Sequence, residues 1–340
     1  MEIAVLLGLL GFGLIASVIG GSDSDDSSTE VTPEPEEPID PDLGDAFAYD
    51  GSPSIVGTDG DDTLNHLGYR PEDLALMEQT FQIDGGLGND YIEGGTDAGV
   101  EASISGGEGN DTLISTGSGT EFNGGPSNDV IEILYNDTAY GGAGDDTISS
   151  YLGSTIDAGA GDDVVIAGLS DQVSGGEGND NISISIVSPH SPSPAMVDGG
   201  MGDDTLNVKA DISDQKYGVT DVEVTGGEGN DTVNLELLLN IINEDVSVDT
   251  SASSGITLND FDSSEDTLVI DITMSPEEVI HEMTSAEIVD NSYEDQGETI
   301  SQFDLELTFG ATETRGAHTV TIRLGPDVNL NVDDIIFVQN

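Results

Sequence analysis

GGLGNDYIE (Gly85 to Glu93) and GGEGNDTLI (Gly106 to Ile114) are two clean copies of one nine-residue pattern, Gly-Gly-x-Gly-(Asn/Asp)-Asp-x-aliphatic-x, which the chain writes nine times between Gly57 and Asn234. Anchored on the sixth position, the copies fall at Asp62, Asp90, Asp111, Asp129, Asp146, Asp163, Asp180, Asp204 and Asp231, and none loses its carboxylate. From Asp129 to Asp180 the spacing is a constant 17 residues, while both flanks carry insertions. A fixed period means one structural unit per copy.

The eighth position reads Leu64, Ile92, Leu113, Ile131, Ile148, Val165, Ile182, Leu206 and Val233, apolar throughout and mostly β-branched, as suits a strand filling a core. Two residues before each glycine pair runs a second apolar column: Ile55, Ile83, Ile104, Phe122, Ala139, Ile156, Val173, Val197 and Val224. The motif does not require that column, so its regularity is independent support for strand, loop, strand, with side chains alternating in and out. One coil of 17 residues has room for two short strands and two turns, the second turn being the irregular one, as at Tyr151 to Ser154 or Gly168 to Ser170. Stacked coils pair their strands in parallel, and nine of them at about 4.8 Å make a rod on the order of 40 Å long.

Glycines at positions 1, 2 and 4 permit positive φ and close backbone approach, and Asp or Asn at position 5 tolerates the left-handed region too. Carbonyls near Gly86, Gly88, Gly107, Gly109, Gly142, Gly144, Gly159, Gly161, Gly176, Gly178, Gly200, Gly202, Gly227 and Gly229 can then turn toward one point, where the sixth-position carboxylates add charge. A flexible, anionic, all-oxygen cage suits Ca²⁺ better than Zn²⁺ or Mg²⁺. The alternative is a metal-free solenoid in which these are only turn residues. Against it stands the same acid in all nine copies, since carboxylates stacked at about 5 Å without a cation repel one another.

The repeats resemble the nonapeptides of the RTX (hemolysin-type) calcium-binding proteins. That resemblance implies an all-β fold, a right-handed parallel β-roll or β-solenoid, with each ion between successive loops and at most about eight ions for nine loops. The family usually has two nonapeptides per coil and ions along both edges. This chain has one per coil, so a one-sided ladder is expected. Three copies depart from the pattern, with Thr58 for the second glycine in the first, Ser127 for the third in the fourth, and Ala158 for the first in the sixth. Those loops, together with the widely spaced ones at Asp62, Asp90, Asp204 and Asp231, are where stacking is in question.

With 5 basic and 69 acidic residues the formal charge is −64, which excludes nucleic acid and anionic lipid heads as natural partners. Eight Ca²⁺ would cancel roughly 16 of those charges, so the metal-free chain is expected to be expanded and to fold when calcium is supplied. There are no cysteines, hence no disulfides or thiolate sites. Cytosolic calcium is too low to load weak sites, which places the expected workplace outside the cell, secreted or anchored at a bacterial surface.

The expected organisation is an apolar N-terminal segment (1–20), an acidic Pro-rich spacer (21–48), the roll (49–250) and a β-rich C-terminal cap (251–340). Ile3 to Ile19 is uncharged and apolar, but short for a span and preceded by Glu2 rather than Lys or Arg. It reads as a membrane anchor or atypical signal, or else as a buried core helix. Val31 to Leu43 is an extended, solvated spacer. After Thr250 the texture changes to β-rich segments at Thr267 to Thr273, Phe303 to Phe309, Thr319 to Leu324 and Asp334 to Val338. Ile256 to Ile272, with DFDSSEDTLVI, resembles the segment that follows the roll in many RTX proteins, and the closing DDIIFV (Asp333 to Val338) resembles the tail of type I secretion substrates, though an edge strand reads the same.

RTX rolls often accompany catalytic modules, but HEMTS at His281 has Ser285 where a zincin needs its second histidine, and no G-x-S-x-G elbow occurs. The histidines at 66, 190, 281 and 318 lie scattered without ligand spacing. Once anchor, spacer, roll and cap are assigned, no stretch above about 90 residues remains for a catalytic domain. The expected role is therefore extracellular, calcium-binding and structural, at a surface or in a matrix; the alternative is a carbohydrate-active or toxin-like protein scaffolded by the roll.

Overall fold

The computed structural model describes residues 54–65, 81–95, 102–186, 194–211, 221–239, 251–274, 283–295, 298–300, 302–310 and 318–339. The apolar N-terminal run, the spacer, His66, His190, His281 and Glu282 lie outside the described residues. Among the described residues no helix is long and apolar enough to cross a membrane.

Each repeat contributes an upstream strand that runs into its glycine pair and a downstream strand that follows its carboxylate. In the central run these are Thr138–Ala143 with Thr147–Ser149, Thr155–Ala160 with Val164–Ala167, and Gln172–Glu177 with Asn181–Ile186. Upstream strands pair only with upstream strands and downstream only with downstream, all in parallel, which builds two long sheets facing each other. The register keeps equivalent residues side by side: Ala139, Ile156 and Val173 in one sheet, Ile131, Ile148 and Val165 in the other. Both sequence columns point inward. All nine eighth-position residues are buried, and every member of the upstream column is buried except Ile55 in the first coil, which is half-buried against the core. The core is thus a two-walled stack, each layer filled by its own coil and roofed by the next.

The insertions do not break the stack. The strands on either side of residues 66–80, 187–193 and 212–220 stay in register, as in Thr63↔Tyr91, Asn181↔Thr205 and Thr205↔Thr232. All the extra residues fall between a downstream strand and the next upstream one, so they leave the glycine loops untouched. In the regular coils this second turn is pinned by single parallel bridges linking Ser118, Tyr135, Leu152 and Leu169.

Nor does the stacking stop at Thr250. Ser251–Asn259 continues the upstream sheet beside Val222–Glu228, and Thr267–Met274 continues the downstream sheet beside Thr232–Leu239, making a tenth coil without glycines in its loop. His318–Leu324 and Ile336–Gln339 then add one more parallel strand to each sheet. The expected final strand begins at Ile336 because Val332–Asp334 form a 3₁₀ turn capped by the Asn331 side chain. Phe303–Phe309 and Met283–Asp290 extend the upstream sheet with antiparallel pairing. Their inward residues Leu305, Leu307 and Phe309 cover apolar surface that a bare last coil would expose.

Candidate metal centre

The sixth-position aspartates stand in one line along the glycine-loop edge, each 4 % exposed or less. From Asp90 onward, each uses one oxygen to hold the coil before it. Asp90 Oδ1 accepts the Asp62 N–H at 2.8 Å, Asp146 Oδ1 accepts from Asp129 N–H at 2.7 Å, and Asp163 Oδ1 accepts from Asp146 N–H at 2.7 Å. Asp231 Oδ1 does the same for Asp204 N–H at 2.9 Å. The other oxygen is the notable one. In Asp90, Asp111, Asp129, Asp146, Asp163, Asp180, Asp204 and Asp231, Oδ2 is buried and has no hydrogen-bond partner. Buried acceptors of that kind are rare and costly, and eight in a row call for a cation.

The first-position glycines explain where that cation fits. A Cβ on Gly85, Gly124, Gly175 or Gly199 would run into its own repeat's Asp Oδ2 and into the first-position carbonyl of the next coil. Carboxylate oxygen and carbonyl oxygen therefore converge beside a residue with no side chain. Ala158 puts a methyl there in the sixth copy, and it is fully buried. Positions 2 and 4 meet a different demand, positive φ, which runs from +105° to +119° at the second-position glycines and from +116° to +151° at the fourth-position glycines from Gly88 onward, whereas Gly60 in the first loop does not share it.

Ser127, at position 4 of the fourth loop, is forced to φ +87°. A side chain in that region costs about 1–2 kcal/mol, partly offset by the loss of backbone entropy that glycine brings. Ser127→Gly is therefore expected to stabilise the loaded roll by up to about 1 kcal/mol. A lower melting temperature would show that the serine serves another purpose.

Position 5 does not adopt the left-handed conformation expected of it, since no described residue there has positive φ. Its side chain serves instead as an acceptor for the neighbouring coil. Asn110 N–H donates to Asn89 Oδ1 at 2.8 Å, Asp162 N–H to Asp145 Oδ1 at 3.0 Å and Asn179 N–H to Asp162 Oδ1 at 2.9 Å. This exposed ladder runs opposite in sense to the buried one. Only Asp and Asn place an oxygen at that reach, which is why no other residue fills the position.

The line of orphaned oxygens is closed at both ends by protein donors. Asp62 Oδ2 accepts the Thr58 N–H at 2.5 Å and the Thr58 Oγ1 hydroxyl at 2.9 Å. In the tenth coil Asp266 takes the place of a sixth-position aspartate, its Oδ1 accepting the Asp231 N–H at 3.0 Å and its Oδ2 the Asp262 N–H at 2.8 Å. Asp266 escapes the nonapeptide pattern because its loop has no glycine. The pattern Asp-Thr-aliphatic, shared by Asp231-Thr232-Val233 and Asp266-Thr267-Leu268, marks it.

The opposite edge carries two further buried aspartates that sequence reading missed. Asp137 accepts from Thr120 N–H at 2.8 Å, Ser115 Oγ at 2.8 Å and Leu134 N–H at 3.1 Å. Asp171 accepts from Ser154 N–H at 2.7 Å, Gly168 N–H at 2.6 Å and the Ser150 hydroxyl. Both carboxylates are therefore saturated by protein donors, and they tie the second turn. The period that would have revealed them is Thr120, Asp137, Ser154, Asp171, one residue every 17. Among the described residues no three acidic or histidine side chains converge on one point.

The model of the RTX calcium-binding nonapeptide repeat matches residues 82–100, 103–118, 134–154, 153–170 and 221–237. Among solved structures the chain is similar to a hyperactive, Ca²⁺-dependent, β-helical antifreeze protein from an Antarctic bacterium, at 21 % identity and TM-score 0.43. The likeness covers 66 % of this chain and 64 % of that one. No curated protein matches. The fold and edge define a parallel β-roll built for an oxygen-liking cation. The chain carries RTX calcium-binding repeats, and calcium is the ion such repeats bind.

Proposed function

We propose that the chain is an extracellular structural protein whose roll is assembled by a single file of calcium ions along the glycine-loop edge, held through Asp90, Asp111, Asp129, Asp146, Asp163, Asp180, Asp204 and Asp231. The observation that carries this reading is the unbroken run of eight buried, donorless Oδ2 atoms on one edge, set against saturated carboxylates on the other. Asp62 is left out of the file because Thr58 occupies its second oxygen. Ions at one edge leave the outer faces of both sheets free for a surface or matrix partner. A weakly binding, anionic, cysteine-free roll suits the calcium-rich exterior, where metal takes the place of disulfides.

The test is calorimetric stoichiometry on the full chain. Replacing Asp146, Asp163 and Asp180 together by alanine should remove several ions from the count. An unchanged stoichiometry would mean that the ladder lies elsewhere. An assay against polysaccharides with no turnover would argue against the carbohydrate-active alternative.

A further inference from the structure

The two outer faces of the roll differ in charge. In the five coils between Ala102 and Ile186 the downstream strands, Thr112–Ser115, Val130–Glu132, Thr147–Ser149, Val164–Ala167 and Asn181–Ile186, hold one charged residue, Glu132. The upstream strands of the same coils hold four, Glu108, Glu121, Asp157 and Glu177, all exposed. In a chain with 69 acidic residues, five strands with a single carboxylate make a neutral window. The window is also apolar. Val130, Val164 and Ile166 are exposed on it, Ile166 at 55 %. They adjoin one another, since Val130, Thr147 and Val164 lie side by side in register and Ile166 stands two residues on from Val164, on the same side of its strand. Where the face runs into the second turn, the exposed rings of Tyr135 and Tyr151 meet edge to face, with centroids 5.3 Å apart. Apolar side chains exposed singly are ordinary, but contiguous ones mark a contact surface.

We propose that this window is where two copies of the assembled roll pack face to face. Charge selects the face: copies of so acidic a chain repel wherever carboxylates oppose carboxylates, and the central downstream sheet is where they can meet without that cost. A cationic partner would find more to hold on the upstream face. Spacing selects the occupant, because a second copy carries the same rows of side chains at the same strand separation, about 4.8 Å, so ridges and gaps match over several coils. A two-fold axis along Thr147–Ser149 sets Val130 opposite Val164 of the other copy, and Glu132 opposite Ile166 rather than opposite another carboxylate. Such a contact is isologous and closes at two copies. Five strands about 4.8 Å apart and about 10–20 Å long offer a few hundred Å² per copy, the low end for specific interfaces, so the dimer is weak and concentration-dependent. The inference adds a partner to the reading above and rests on it only in needing the roll assembled.

Sedimentation velocity of the full chain in millimolar calcium, with circular dichroism of the same samples, tests the contact. The wild type should pass from monomer to dimer as its concentration rises, and added sodium chloride should tighten the dimer by screening repulsion between the acidic surfaces around it. Val164→Glu with Ile166→Glu puts two carboxylates on the face and should weaken dimerisation about tenfold or more. Thr155→Glu with Gln172→Glu adds the same charge at exposed positions of the upstream face and should leave it within about twofold of wild type. Glu132→Gln removes the one charge the contact buries and should tighten it. A wild type that stays monomeric overturns the proposal. So does a dimer that Val164→Glu with Ile166→Glu leaves unchanged, or one that salt dissolves, the mark of calcium bridging between carboxylates. A monomer retained on an insoluble neutral polysaccharide through the same two residues would overturn it too and give the face to a glycan. A β-sheet signal identical in EDTA would overturn the calcium reading instead, and the dimer would still be decided by the same runs.

Discussion

In EDTA at neutral pH the chain should lose most of its β-sheet circular dichroism, and millimolar calcium should restore it. The expectation follows from weighing the edge against the core. Eight buried carboxylate oxygens have no donor, and each such atom costs about 1–3 kcal/mol, more when it is charged. Together they oppose folding by on the order of 10 kcal/mol or more, comparable with the whole stability of a typical domain, about 5–15 kcal/mol. The core absorbs that loss least well in its thin central part, where the coil of Thr138–Ala143 and Thr147–Ser149 buries only Ala139 and Ile148 as apolar side chains. Mutual repulsion within a chain of formal charge −64 adds to the deficit. On the proposed reading calcium would remove the largest unfavourable contribution at its source, supplying the partner that Oδ2 lacks and neutralising the file of carboxylates. Binding and folding are then one equilibrium, and the β-signal should rise cooperatively with calcium. A spectrum indifferent to EDTA would sink this account and leave a metal-free solenoid in its place.

The inward columns and the coil period were legible because each depends on a side chain repeating at fixed spacing: burial of Ile131, Ile148 and Val165 in successive layers requires an apolar residue at that place in each coil. The aspartate line was legible for the same reason. Position 5 was not, because Asn and Asp satisfy two different demands, a left-handed backbone and an acceptor at fixed reach, and a sequence does not say which one operates. In the fourth loop an amide fills the acceptor role, Asn128 Oδ1 receiving the Asp145 N–H, and nothing in the residue type distinguishes that from a turn preference. The tenth coil was hidden by its missing glycines, since its loop continues the same register through Asp260 rather than through a glycine pair. Asp137 and Asp171 escaped because Ser154 and Thr120 alternate with them, so the column reads as polar turn residues and not as a repeated acid.

Without calcium, acidification from pH 7 toward pH 4.5 should raise the stability of the roll, the reverse of ordinary acid denaturation. Burial pushes the carboxyls of Asp129, Asp163 and Asp204 up to about 7 and those of Asp90 and Asp146 up to about 6. Asp111, Asp180 and Asp231 are raised as well, again through burial first. In the unfolded chain all of these titrate at about 3.9. Between about pH 4 and pH 7 the folded chain therefore holds more protons than the unfolded one, and stability falls as pH rises through that window. The benefit of protonation is complete below the unfolded value and lost as pH passes the folded one. Each group contributes a slope of up to about 1.4 kcal/mol per pH unit where it is protonated in the fold and ionised in the unfolded chain. Calcium and protons compete for the same oxygens, so calcium affinity should weaken as pH falls, and binding near pH 6 should release several protons per chain. Calorimetry in two buffers of different ionisation enthalpy counts them. Acidification also lowers the overall negative charge, which favours any compact state, so the specific claim needs a variant. Asp163→Asn removes one raised carboxyl and should flatten the pH dependence of the metal-free melting temperature. A metal-free chain that gains neither β-sheet circular dichroism nor a melting transition on going from pH 7 to pH 5 would show that the buried edge takes up no protons, and that something other than these carboxylates sets the stability of the roll.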